Sequence, residues 1–164
     1  MTWMTKALDL LRYAAVALAL SAFPASAKVA VDLELALAID VSGSIDEVEA
    51  NLQRAGYIAA FRNPRVIDAI RHGILGRIAV AYYEWAGYGH NKMIADWTVI
   101  HDRASALAFA ERLHSPPPET ARRTAIGSAI AFGAPLIDAN DIEGTRRVID
   151  ISGDGPNNWG QSAT

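Results

Sequence analysis

The chain contains no cysteine. Neither a disulfide framework nor a thiolate zinc site is therefore available to it. It carries no excess of positive charge: 15 Lys and Arg stand against 18 Asp and Glu, for a net of -3. A protein that works by neutralising nucleic-acid phosphates is not expected from that balance. No Gly-x-Gly-x-x-Gly follows the first apolar run, which argues against a dinucleotide fold. No Gly-rich loop ending in Lys is present to cradle a phosphate. Internal repeats are lacking too. After residue 27 there is no apolar run long enough to span a bilayer of roughly 30 Å. What remains is globular composition, 51% hydrophobic and 20% charged over 164 residues, which suits one domain.

The amino-terminal segment has its own grammar. Lys6 and Arg12 precede an apolar run from Tyr13 to Phe23, and Ala25-Ser26-Ala27 places small residues at -3 and -1 of a cleavage point. Residues 1–27 are read as a secretory signal peptide cut after Ala27, despite Asp9 in its charged part. The mature chain, residues 28–164, is then expected in the periplasm or outside the cell, with no membrane span.

Along the mature chain, Val29 to Ile39 reads as a strand buried on both faces. Asp46 to Asn63 reads as a helix with Val48, Leu52, Ala55 and Ala59 as its inward stripe, and Val66 to His72 as a short second helix. Arg77 to Trp85 and Met93 to Ile100 are strands. The connection between them, Ala86 to Lys92, is too short for a parallel crossover, so the pair is antiparallel. Asp102 caps a third helix reaching Leu113. Ser115-Pro-Pro-Pro118 opens a loop. Ala125 to Ile137 is the fourth helix, with Ile126, Ile130, Ala134 and Ile137 as its stripe, and Arg147 to Ser152 the fourth strand. This alternation predicts an α/β fold with a mainly parallel sheet.

In such a sheet, ligands sit beyond the carboxyl ends of the strands. Three polar segments fall there: Asp40-Val41-Ser42-Gly43-Ser44, Arg123-Thr124-Ala125-Ile126-Gly127 and Ser152-Gly153-Asp154-Gly155. Asp40, Ser42 and Ser44 alternate along the chain, so an extended backbone points all three oxygen-bearing groups one way. Carboxylate and hydroxyl oxygens are hard donors, suited to Mg²⁺ before Ca²⁺ when few protein ligands are offered. Thr124 adds a hydroxyl and Asp154 a second carboxylate. Each residue also has a plain role open to it. Ser44 to Glu47 fits a capping box and so does Asp46 to Glu49, Thr124 suits a helix cap, and Asp154-Gly155 suits a turn.

Together the three segments resemble the metal-ion-dependent adhesion site of von Willebrand factor type A-like domains, which takes an Asp-x-Ser-x-Ser motif, a Thr from a second loop and an Asp from a third. Glu84-Trp85-Ala86-Gly87 and the stretch from Arg147 to Asn158 resemble an exported bacterial branch of that superfamily, itself of unknown function. The resemblance implies a three-layer, Rossmann-like sheet with one antiparallel edge strand, incomplete at its carboxyl end because the fourth strand is normally interior. It implies Asp40, Ser42, Ser44, Thr124 and Asp154 as metal residues for Mg²⁺, or Mn²⁺ or Ca²⁺. Ser42 and Ser44 would bind directly, Thr124 in a ligand-engaged state, Asp40 and Asp154 mostly through water. The implied role is binding rather than turnover, with the cation bridging to an Asp or Glu of a protein partner.

Two other functions are weighed. One is a hydrolase, either Mg²⁺-dependent or serine-protease-like, in which Asp40 and His72 supply two members of a triad. The other is a structural domain whose polar loops bind nothing. His72, His90, His101 and His114 are scattered without metal-ligand spacing, and Trp85 and Trp97 are expected to pack on the paired strands. Arg122 and Arg123 are read as a hold for an acidic partner or as a solvated pair. Asn157 and Asn158 are read as the rim of the metal loop or as a simple turn.

Overall fold

The computed structural model describes residues 27–114 and 119–162. The signal-peptide reading, apart from Ala27, and the Ser115–Pro118 loop lie outside the described residues. In chain order the elements are β1 (Val29–Asp40), α1 (Glu47–Arg62), α2 (Pro64–Arg71), β2 (Ile78–Trp85), β3 (Asn91–Ile100), α3 (Arg103–Arg112), α4 (Ile126–Asp138) and β4 (Ile142–Ser152). The sheet order is β3-β2-β1-β4. β1 runs parallel to β2 and β4, and β3 closes one side antiparallel to β2.

Register decides where the chemistry can gather. Asp40 stands opposite Trp85, and Ile39 opposite Ser152. The carboxyl ends of the three parallel strands therefore finish level, and the loops that follow them share one rim of the sheet. The other rim carries a different device. The Asp32 carboxylate accepts the backbone N–H groups of Leu75 and Arg77 and pins the turn that leads into β2.

Alternation along β1 sorts two layers. Leu37 and Ile39 face α1, α2 and α3, joining Ile58, Phe61, Ile67, Tyr82 and Phe109 in the larger core. Ala36 and Ala38 face α4 beside Tyr83 and Trp85. Edge-on ring pairs bind the first layer: Tyr57 with Tyr82 at 5.5 Å, and Phe61 with Phe109 at 4.7 Å between centroids.

Two helices are rotated relative to their predicted faces. α1 buries Ala50, Arg54, Ile58 and Phe61, and leaves Val48 75% and Leu52 72% exposed. The reason is chemical. Arg54 has a buried partner, Glu84 of β2, so a charged residue lies on the inner face. Tyr57, Ile58 and Phe61 then carry far more apolar area inward than Ala55 and Ala59 would. α4 turns Ala129 and Gly133 to the sheet along with Ile137, and buries Gly127 against the backbone of Gln161 and Ser162, while Ile126, Ile130 and Ala134 are only half-buried. Large rings on the sheet demand small residues opposite. The Tyr83 hydroxyl donates to the Ala129 carbonyl at 2.8 Å, and a Cβ at Gly133 would stand 2.5 Å from that hydroxyl oxygen.

β4 begins at Ile142 rather than Arg147. Its first half, Glu-Gly-Thr-Arg, shows no apolar alternation because this strand lies at the edge of the described sheet, where charge is tolerated. Asp102 caps α3 as expected, accepting the Ser105 N–H at 2.8 Å. Trp85 is fully buried, and Trp97 donates its indole N–H to the Leu136 carbonyl at 3.0 Å. Among the described residues no helix is long and apolar enough to cross a membrane.

Candidate functional site

All five predicted site residues meet at the carboxyl rim of the sheet. β1 delivers Asp40 to the floor, fully buried. The chain then turns sharply. The Ser42 N–H donates back to Asp40 Oδ1 at 2.7 Å, and Ser42 Oγ lies 3.1 Å from Ser44 Oγ. Ser44 donates to Asp154 Oδ1 at 2.9 Å, and Thr124 Oγ1 to Ser42 Oγ at 3.4 Å. Three loops separated by up to 110 positions thus contribute to one run of oxygens. Asp40, Ser42 and Thr124 are buried, whereas Ser44 and Asp154 are exposed, so the cluster opens to solvent on one side.

The plain alternatives for two of these residues are resolved by the caps. Asp46, not Ser44, caps α1: its carboxylate accepts the Glu49 N–H at 2.8 Å, and Glu49 returns the bond to the Asp46 N–H. α4 starts after Ala125, with no side-chain cap. Both hydroxyls are free to face the cluster.

The Thr124 loop is docked rather than draped. Ala121 N–H donates to the Val41 carbonyl at 3.1 Å, and Ala125 N–H to that of Ala86 at 3.0 Å. Gly87 admits it, since a Cβ there would stand 2.5 Å from the Arg122 carbonyl oxygen. Asn158 clamps it from the third loop. Its side-chain oxygen accepts the Thr124 N–H at 2.9 Å, and its own N–H donates to the Thr124 carbonyl at 2.9 Å. Of the two readings open to Asn158, the rim of the loop is the observed one.

Electrostatically the floor is under tension. Burial pushes the Asp40 carboxyl above its ordinary range. The Ser42 hydrogen bonds pull it down, and the charge of Asp154 adds to the rise. Asp40 Oδ2 is buried with no hydrogen-bond partner. Beside it, a Cβ on Gly153 would lie only 3.1 Å from that oxygen, so glycine keeps the space clear. A buried, unpartnered carboxylate oxygen next to a run of hydroxyls fits a hard divalent cation or its bound water. The donor set is hydroxyl-rich. Among the described residues, no group of three or more His, Asp or Glu converges as a metal cluster.

His72 does not approach Asp40. It ends α2 at the opposite rim, before β2 begins, with its ring nitrogen 2.6 Å from the Asp68 carbonyl. The eight residues of β2 rise through seven steps from Ile78 to Trp85, and so hold the two rims about 23 Å apart at ~3.3 Å per residue. The serine-protease-like pairing of Asp40 with His72 is therefore corrected by the fold.

The family described as "Protein of unknown function (DUF1194)" matches residues 30–164. The chain belongs to that family. No curated protein matches it significantly. Among solved structures it is similar to the von Willebrand factor domain of the type V pili tip protein Mfa5 from Porphyromonas gingivalis. That likeness has a TM-score of 0.52 at 13% identity and covers 77% of this chain. The chain spans only 39% of the length of that structure. The pilus adhesin SpaC from Lactobacillus rhamnosus GG aligns with TM-score 0.48 and 13% identity over 73% of this chain and 15% of its own. The conserved hypothetical protein BatB from Bacteroides thetaiotaomicron aligns with 0.43 and 21% over 71% and 52%. The first of these carries the fold: this member of the family has the von Willebrand factor type A-like α/β architecture, mostly parallel with one antiparallel strand.

Proposed function

We propose that this protein is an exported, cation-dependent protein-binding module of adhesion type. The observation that supports this most is the cluster itself: five oxygen-bearing side chains from three loops, with Asp40 Oδ2 buried and unpartnered at its floor. Ser42 and Ser44 would hold the ion directly and Thr124 would join them. Asp40 and Asp154 would act mainly through water. A bound Mg²⁺, or Mn²⁺ or Ca²⁺ in its place, would supply an electrophilic centre for an Asp or Glu of the partner. Two carboxylates offset the ion's double charge, and the scarcity of direct carboxylate contacts leaves it receptive to another. Export rests on residues 1–27 acting as a cleaved signal, which leaves a periplasmic or secreted chain.

The test is a thermal melt with and without Mg²⁺ or Mn²⁺. An ion that binds only the folded state at a hundred times its Kd adds about 2.7 kcal/mol of stability. The chain is expected to melt higher with the ion, and the Ser42→Ala/Ser44→Ala variant to show no shift. An unshifted parent chain would favour polar loops that bind nothing.

A further inference from the structure

The rim of this cluster carries charge that the cluster itself does not use. Arg122 and Arg123 line the same cleft of ≈ 260 Å³ as Ser42, Ser44, Thr124 and Asn158. Both are exposed. Among the described residues neither side chain has a hydrogen bond or a carboxylate partner, although four other Arg and Lys side chains (Arg54, Arg62, Lys92 and Arg147) pair with carboxylates elsewhere on the molecule. Arg123 is placed deliberately. Its φ is 75°, the one non-glycine residue with positive φ among those described, a conformation that an L-residue holds only when its surroundings impose it. The bonds from Ala121, Thr124 and Ala125 that dock the loop on either side impose it here. Its guanidinium lies over the Trp159 ring, 3.6 Å from the centroid. That stack uses the face of the guanidinium and leaves its in-plane N–H donors free, in the fork geometry that suits a carboxylate.

Charge counting sets the ligand class. With a divalent ion bound, Asp40 and Asp154 bring the cluster to neutrality. The two arginines then stand as a surplus of two positive charges at its lip. One acid on the ion leaves that surplus unmet. We infer that the site reads a protein segment bearing two acidic residues close in sequence, one carboxylate directed to the ion and the second gripped by the Arg122–Arg123 rim. This rests on the cation-dependent reading given above. It adds to it that a single acid is a poor ligand and that the arginines set the preference.

The experiment measures fluorescence anisotropy of two labelled, end-blocked glycine-serine peptides, one with a single glutamate and one with two glutamates a residue apart. Titrations run in millimolar Mg²⁺ and in EDTA. The diglutamate peptide is expected to bind at least about tenfold tighter, as charge-assisted forks of this kind allow. In Arg122→Ala/Arg123→Gly the advantage should vanish, while the melting response to Mg²⁺ stays. Glycine at 123 relieves the positive φ, so folding is not put at risk by the backbone. Arg122→Lys/Arg123→Lys should retain part of the preference. Equal affinities in the parent chain, an advantage that survives loss of both arginines, or no binding of either peptide would overturn the inference. So would a phosphoserine peptide that binds tighter than the diglutamate one. Diglutamate binding that survives EDTA yet is lost in the arginine variant would uphold the rim and overturn the cation reading, so the two failures are distinguishable.

Discussion

Arg54→Ala is expected to destabilise the fold by about 3–5 kcal/mol, the usual effect of leaving one half of a buried ion pair alone. Arg54 and Glu84 are 5% and 2% exposed, and the guanidinium contacts the Glu84 carboxylate directly beneath α1. Without Arg54, the Glu84 charge stays in the core beside Tyr82, whose hydroxyl is already pushed upward by burial and by that same carboxylate. The loss extends to the site. α1 follows immediately on the Ser44 turn, and Glu84 precedes Trp85, the ring that packs near Gly153. Urea unfolding measures the effect. The double variant Arg54→Met/Glu84→Leu should recover most of the loss, because an apolar pair of similar volume removes both desolvation penalties. A loss below about 1 kcal/mol in the single variant would mean that water reaches Glu84 and that the pair does not fix the helix.

Asp40→Asn is expected to act with opposite signs in the two states. Without a cation, the parent chain buries a carboxylate whose Oδ2 has no partner, and desolvation dominates its environment. A neutral amide keeps the acceptor for the Ser42 N–H and drops the charge, along with the repulsion from Asp154. The ion-free variant should therefore melt several degrees above the ion-free parent. With Mg²⁺ the order should reverse, since the amide cannot offset the ion's charge and the Mg²⁺-dependent shift disappears. Paired melts in Mg²⁺ and EDTA give both readings. An ion-free variant that melts below its parent would show that the Asp40 charge is already satisfied by the protein alone.

Much of this was legible in the sequence because it depended on local patterns. The element order follows from apolar periodicity and turn residues, and the antiparallel β2–β3 pair from the shortness of Ala86 to Lys92. The gathering of Asp40, Ser42, Ser44, Thr124 and Asp154 follows from strand ends and from the resemblance to a known motif. What escaped notice depends on partners distant in sequence. Nothing near Arg54 announces Glu84, thirty positions later, so the inner face of α1 does not follow from the helix's own apolar periodicity. The small face of α4 is dictated by Tyr83 and Trp85, which lie in another element. The early part of β4 has no apolar signal because it pairs through its backbone at an edge. The two-bond grip of Asn158 on Thr124 spans 34 positions, and composition alone could not separate it from a turn.

The central claim is that one divalent cation belongs between the Ser42–Ser44 turn, Thr124 and Asp154. Anomalous diffraction from a crystal of the chain soaked in Mn²⁺ tests it most directly. The account predicts a single strong anomalous peak within bonding distance of Ser42 Oγ and Ser44 Oγ, with Asp40 and Asp154 in its outer shell. A manganese peak at any other place, or an empty cluster in crystals that have taken up the metal, would contradict it.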